Sequence, residues 1–198
     1  MFTRALNFIA VAGVAAFIVV CSTAQFLRDD LDWVSAPLSY YLEGPGGIVV
    51  KAAYVALSAA LCALGVGFFR TLVVAARSGV PLLLFVVSGV TLSVTAFTQI
   101  PVALDPAGFH TFVHGAAAMT TFLCVTVAML LQSWRLRGDP RWRTSFGFAF
   151  ALAVAAFAAL WIYALTHEIP RGLMQKIVIA LILVWLAWAA LALRRFGQ

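Results

Sequence analysis

Six long apolar runs, separated by short polar or charged segments, set the pattern of this chain: Leu6 to Phe26, Ile48 to Phe69, Val80 to Ile100, Phe109 to Trp134, Ser145 to Leu165 and Gly172 to Leu193. Each approaches or exceeds the roughly 20 apolar residues that a helix needs to cross a bilayer. Helix is the expected form, because in lipid a single helix satisfies its own backbone. The pattern predicts one all-α domain over residues 1–198, a six-helix transmembrane bundle. The first run is read as a retained helix rather than a signal peptide, since its flank carries one charge, Arg4, and its apolar stretch is too long. Cys21 is not read as a lipoprotein acceptor, because Val20 precedes it where a small residue is needed.

Composition agrees with this reading. With 64% hydrophobic and 10% charged residues and a mean hydropathy of +1.05, the chain is excluded from the soluble globular class, whose charged share is about a quarter. Cys21, Cys62 and Cys124 lie inside apolar runs without paired spacing, so they are expected to pack as small hydrophobes rather than form disulfides or a metal site.

The net charge of +6 sorts by loop. Arg4, Arg70, Arg77, Arg135, Arg137, Arg141, Arg143, Arg194 and Arg195 share one side with a single acid, Asp139. On the other side Arg28, Lys51, Arg171 and Lys176 meet Asp29, Asp30, Asp32, Glu43, Asp105 and Glu168. The positive-inside bias then predicts that both termini are cytoplasmic. The basic face is expected to attract anionic lipid headgroups. Topology accounts for these arginines, so no nucleic-acid partner is expected.

The first loop on the acidic side, FLRDDLDWVSAPLSYYLEGPGG, is too long for a minimal connection and too apolar for a solvated coil. Ser35 and Pro37 are suited to start a short helix ending at Gly44, forming a lid with its tyrosines at the interface. In the third run Ser88, Thr91, Thr95 and Thr98 fall on one helical face, extended by Gln99. Such a face serves helix packing or lines a polar cavity.

Chemistry concentrates in IPVALDPAGFHTFVHG, Ile100 to Gly115, with Asp105, His110 and His114. A helix beginning near Ala107 places His114 roughly 10 Å along its axis, below the headgroups. His110 and His114 share a face that Thr121 continues. The turn LTHEIPRGLMQK brings His167, Glu168, Arg171, Gln175 and Lys176 to the same mouth.

Three readings follow. In one, His110, His114 and His167 hold zinc or another divalent metal, Asp105 or Glu168 assists, and Ser39 is a further candidate, giving hydrolysis or transfer of a lipid-borne ester or amide. In the second, the histidines cap helix ends and bond Asp105 or interfacial water around a lipid-binding or accessory pocket, which Ser39, Glu43, Thr95, Thr98 and Gln99 line with the turn residues. The third is a proton-linked transporter, although no run holds a midhelix acid. Haem is disfavoured, because paired-haem carriers need ligands near both faces. Membrane lipids, a membrane-protein partner or a second copy are the expected partners.

The motifs APLSYYLEGPGG, Pro101 and Asp105 followed by Gly108 and His114, and PRGLMQKIVI before a Trp-rich, Arg-terminated last helix occur in an ordered series. In these features the chain resembles the bacterial domain of unknown function 998 family, six-helix membrane proteins, over nearly its whole length. The resemblance implies the fold and a membrane location, and no established reaction. It carries over His114 most directly. The family usually has a tighter Phe-Pro-x-Asp arrangement, whereas three residues separate Pro101 from Asp105 here. His110 and His167 lie outside the family pattern.

Overall fold

The computed structural model describes residues 2–166 and 168–196. Its helices are α1 (Phe2–Leu27), α2 (Gly47–Thr71), α3 (Gly79–Thr98), α4 (Phe109–Leu136), α5 (Phe146–Leu165) and α6 (Arg171–Phe196). All six are long and apolar enough to cross a membrane, and there is no strand among the described residues. The all-α, six-helix expectation holds. α1 begins at Phe2 rather than Leu6, and α3 ends at Thr98 rather than Ile100. Pro101 disfavours the helical region for the residue before it, and Gln99 is already extended.

Successive helices pack as neighbours, and α6 returns to pack against α1 and α2. The most enclosed helix is α2 and the most lipid-facing is α5. Small residues set how closely α2 is approached. A Cβ on Gly13 of α1 would lie 2.3 Å from the carbonyl oxygen of Ala56, and one on Gly89 of α3 would lie 2.7 Å from that of Ser58. Neither contact tolerates a side chain, so both helices close on α2 through glycine, as lipid-embedded helices commonly do.

Towards the arginine-rich face the core is aromatic. The fully buried Trp185 packs its ring 6.0 Å from Phe68 and 5.9 Å from Phe85, contacts that contribute about 0.5–1.5 kcal/mol each beyond burial. Its indole N–H, which needs a partner in a dry interior, donates to Ser133 Oγ at 3.2 Å and to the Ala149 carbonyl at 3.1 Å. Three helices thereby meet on one side chain.

That face is closed by Asp139, the acid that stands alone among nine basic residues in the sequence. Its carboxylate is fully buried and accepts from the Val73 N–H at 3.0 Å, the Arg141 N–H at 3.0 Å and the Arg141 guanidinium at 2.9 Å. These hydrogen bonds, the Arg141 side chain foremost, hold its pKa down at about 2. The α4–α5 turn is thus tied to the α2–α3 turn by a charge.

Candidate functional site

The site at the acidic face begins with the way α3 ends. The carbonyls at a helix end are its least satisfied acceptors, and Thr95 lies in the last turn of α3, four residues before the extended Gln99. His114 Nδ1 lies 3.1 Å from the Thr95 carbonyl oxygen. A carbonyl only accepts, so Nδ1 carries the proton, and in the neutral ring Nε2 is left with its lone pair. His114 therefore joins α4 to α3 in one defined tautomer. It lies five residues into a helix that starts at Phe109, roughly 7.5 Å along the axis, which is shallower than a start near Ala107 implies.

The hydroxyl stripe of α3 is turned inward, but each hydroxyl is bonded to its own helix. Thr91, Thr95 and Thr98 donate to the carbonyls of Val87, Thr91 and Val94 at 2.8–2.9 Å, and Ser88 donates to Leu84. This is the back-bonding open to Ser and Thr in helices. Thr91 also shares a 2.8 Å hydrogen bond with Thr121 of α4, so the stripe packs one helix on the other.

Above it lies the first loop, whose ordered part is a short 3-10 helix at Leu38–Leu42 entered from Pro37. Its tyrosines divide: Tyr40 is half exposed as expected at an interface, whereas Tyr41 is 1% exposed and belongs to the core. The loop is anchored from α6. Gln175 Oε1 accepts from the Leu38 N–H at 2.8 Å, and Lys176 Nζ donates to the carbonyls of Trp33 and Ala36. Close docking requires Gly172, where a Cβ would meet the Ala36 carbonyl oxygen at 2.6 Å. Asp32 accepts from the N–H groups of Val34 and Ser35 and from the Ser35 hydroxyl.

Two cavities meet under this loop. An open vestibule of about 720 Å3 is lined by Ser39, Glu43, Thr98, Gln99, Thr111 and His114 among others. Glu43 accepts from Gln99 Nε2 at 2.9 Å. Below it, an almost wholly apolar cavity of about 70 Å3 lies between Tyr54, Leu57, Leu92, Ala118, Val125 and Ile182, with Ser39, Thr95, His114 and Gln175 among its few polar neighbours. Ser39 and His114 line both spaces. A third hollow, about 400 Å3, runs between α1 and α6 and shares Phe17, Ile179 and Leu183 with the apolar cavity.

The other residues expected at this site divide. Asp105 is buried, but its carboxylate is not directed to His114. It accepts from the N–H groups of His110 at 3.2 Å and Thr111 at 2.8 Å, and from the Thr111 hydroxyl at 2.9 Å. The Thr111 N–H foremost, these donors hold its pKa below the usual carboxylate range. Asp105 caps α4, as an anion at a helix N-terminus does. His110 is exposed, its ring edge-on to Phe109, and lines neither cavity. His167 lies outside the described residues. Among the described residues no three of His, Cys, Asp and Glu come together to hold a metal ion.

Glu168 is exposed, and Arg171 places its guanidinium over the Tyr163 ring at 5.3 Å, towards α5. Both stand away from the vestibule. Phe17, Leu57 and Ala118 carry no polar signal in the sequence and enter the site only by packing.

Fold and site together define a multi-pass membrane protein with a polar vestibule over an apolar cavity at one end of its bundle. The chain belongs to the family described as Protein of unknown function (DUF998), whose pattern matches residues 11–192. No curated protein and no solved structure matches it.

Proposed function

We propose that the protein binds one amphipathic lipid, with its headgroup in the vestibule and part of an acyl chain in the apolar cavity. The observation that carries this reading is that Ser39 and His114 line both spaces, so polar and apolar compartments meet at one threshold. At about 70 Å3 the cavity is roughly half the size of a 150 Å3 apolar cavity that takes up benzene. It therefore holds a short stretch of chain, and the remainder lies in the α1–α6 hollow, which gives sideways access from the bilayer.

The membrane is a bacterial cytoplasmic membrane and the vestibule opens on its outer side, with the nine-arginine face in the cytoplasm. A membrane-impermeant thiol reagent, applied to variants lacking the native cysteines, should label a cysteine placed at Ser35 and not one placed at Gly138. The reverse labelling overturns the orientation.

Binding is tested by extracting lipid from protein purified in mild detergent. The wild type should carry a phospholipid in stoichiometric amount, and Ala118→Phe, which fills the cavity, at least tenfold less at an unchanged thermal midpoint. Equal lipid in a folded Ala118→Phe protein overturns the reading.

A second reading is acyl transfer, supported by the nucleophile candidate Ser39 lining the same threshold as His114, whose Nε2 has no hydrogen-bond partner among the described residues. In this step Ser39 Oγ attacks an ester carbonyl while Nε2 takes its proton. The alcohol leaves with that proton, and water then releases the acid from Ser39. It needs no metal. A fluorophosphonate probe should label Ser39 in the wild type, and no labelling removes this reading while leaving lipid binding intact. Proton-linked transport has less support, since the buried carboxylates among the described residues, Asp105 and Asp139, both lie in turns.

A further inference from the structure

We propose that the arginine-rich face holds a built site for the phosphate of an anionic phospholipid. The site is an open pocket of about 580 Å3 between the α2–α3 turn, the end of α4 and the start of α5, lined by Ala76, Trp134, Arg135, Arg137, Arg143 and Phe146.

The argument is one of charge. The segment Arg135–Arg143 carries four arginines and one acid. Asp139 is consumed by Arg141, with which it forms one of two ion pairs among the described residues, the other joining Arg28 to Asp30 at the opposite face. Arg135 is held by carbonyl oxygens, Nε to Ala76 at 3.0 Å and Nη2 to Arg77 at 2.7 Å. Carbonyls satisfy its N–H groups without neutralising it, and Nη1 has no hydrogen-bond partner among the described residues. Arg137 places its guanidinium carbon over the Trp134 ring at 4.1 Å and near Phe146 at 5.3 Å, and no carboxylate among the described residues pairs with it. Arg143 is exposed, with no carboxylate partner among the described residues.

Three guanidinium groups thus border one pocket with no carboxylate among its described lining residues, one held by carbonyls and one seated over an indole ring. Phosphate oxygens match that set, because guanidinium binds them through paired, charge-assisted hydrogen bonds. A lipid is the favoured source. The pocket sits at the ends of membrane-crossing helices, and its wall is the interfacial ring of Trp134, half exposed, above the exposed Leu131 one turn earlier on α4. A phosphate held there leaves its glycerol and acyl chains against an apolar flank. This site is independent of the vestibule at the other face.

The test is a titration of detergent-solubilised full-length protein with short-chain phosphatidylglycerol, followed by thermal shift, with short-chain phosphatidylcholine and inorganic phosphate in parallel. Phosphatidylglycerol should stabilise, and the other two should not. Arg137→Gln and Arg143→Gln should each weaken the response about fivefold, whereas Arg194→Gln/Arg195→Gln, equally basic but outside the pocket, should leave it within twofold. Arg135 is avoided because it also fixes a turn. Equal weakening in the Arg194/Arg195 variant would mean diffuse surface attraction and overturn the site. Undiminished response in both pocket variants, or stabilisation by inorganic phosphate equal to that by the lipid, overturns it as well.

Discussion

His114 and Thr95 are joined across 3.1 Å, imidazole Nδ1 to backbone carbonyl, at the point where α3 stops being a helix. The bond engages a carbonyl in the last turn of α3 and fixes the histidine tautomer in the same contact. It also sets the threshold between vestibule and cavity.

Replacing His114 separates these roles. His114→Ala removes the side-chain donor to the Thr95 carbonyl and should lower stability by about 0.5–1.5 kcal/mol. His114→Asn offers an amide N–H in a similar place and should recover most of that loss. If Ser39 chemistry operates, both variants should lose at least ~100-fold of it, since neither side chain can act as a base. Thermal midpoints and fluorophosphonate labelling of the two proteins read the two effects.

Asp105 should behave as a cap. Asp105→Ala should lower the thermal midpoint by a few degrees and leave bound lipid unchanged. Because hydrogen bonds depress the folded pKa, the stabilisation is whole above the ordinary carboxylate value near 3.9 and fades as pH falls through the lower folded value. Melting curves of wild type and Asp105→Ala should therefore converge in acid. A variant that sheds lipid while keeping its midpoint would return Asp105 to the binding site.

Asp139→Asn should be more damaging than surface position suggests. Its amide would turn a donor towards the donors of Val73 and Arg141, for a loss of about 2 kcal/mol. The contribution of the native carboxylate is complete above its unfolded pKa of about 3.9 and is lost as pH drops towards about 2. Comparing wild-type and variant melts at neutral pH and in acid checks both magnitude and window.

Gln175→Ala should loosen the lid. Without the side-chain oxygen, the Leu38 N–H loses its partner, and deuterium uptake in the segment around Leu38–Leu42 should rise by tenfold or more. Unchanged exchange there would show that Lys176 alone anchors the loop.

Much of the architecture was legible along the chain because lipid permits few solutions: an apolar run of sufficient length has to be helical. Ser39, Thr95, Gln99 and His114 were recognisable as polar groups near one mouth. The role of Asp105 was harder to read. Its closeness in sequence to His114 suggested a partner, but an acid shortly before a helix start meets free backbone N–H groups first. Arg171 and Glu168 were grouped with the mouth by turn membership alone, whereas helix direction points the guanidinium at Tyr163.

By itself the sequence determined six membrane-crossing helices, their approximate limits and the unequal charge of the two faces, all properties of local composition. Only the tertiary structure decided that His114 bonds the last turn of α3, that Ser39 from a distant loop stands with it over an apolar cavity, and that Asp139 staples two turns. Those outcomes depend on which helix lies beside which, and on how close glycine lets them come. Hydropathy is summed along one segment, whereas a pocket is made by residues that the chain separates.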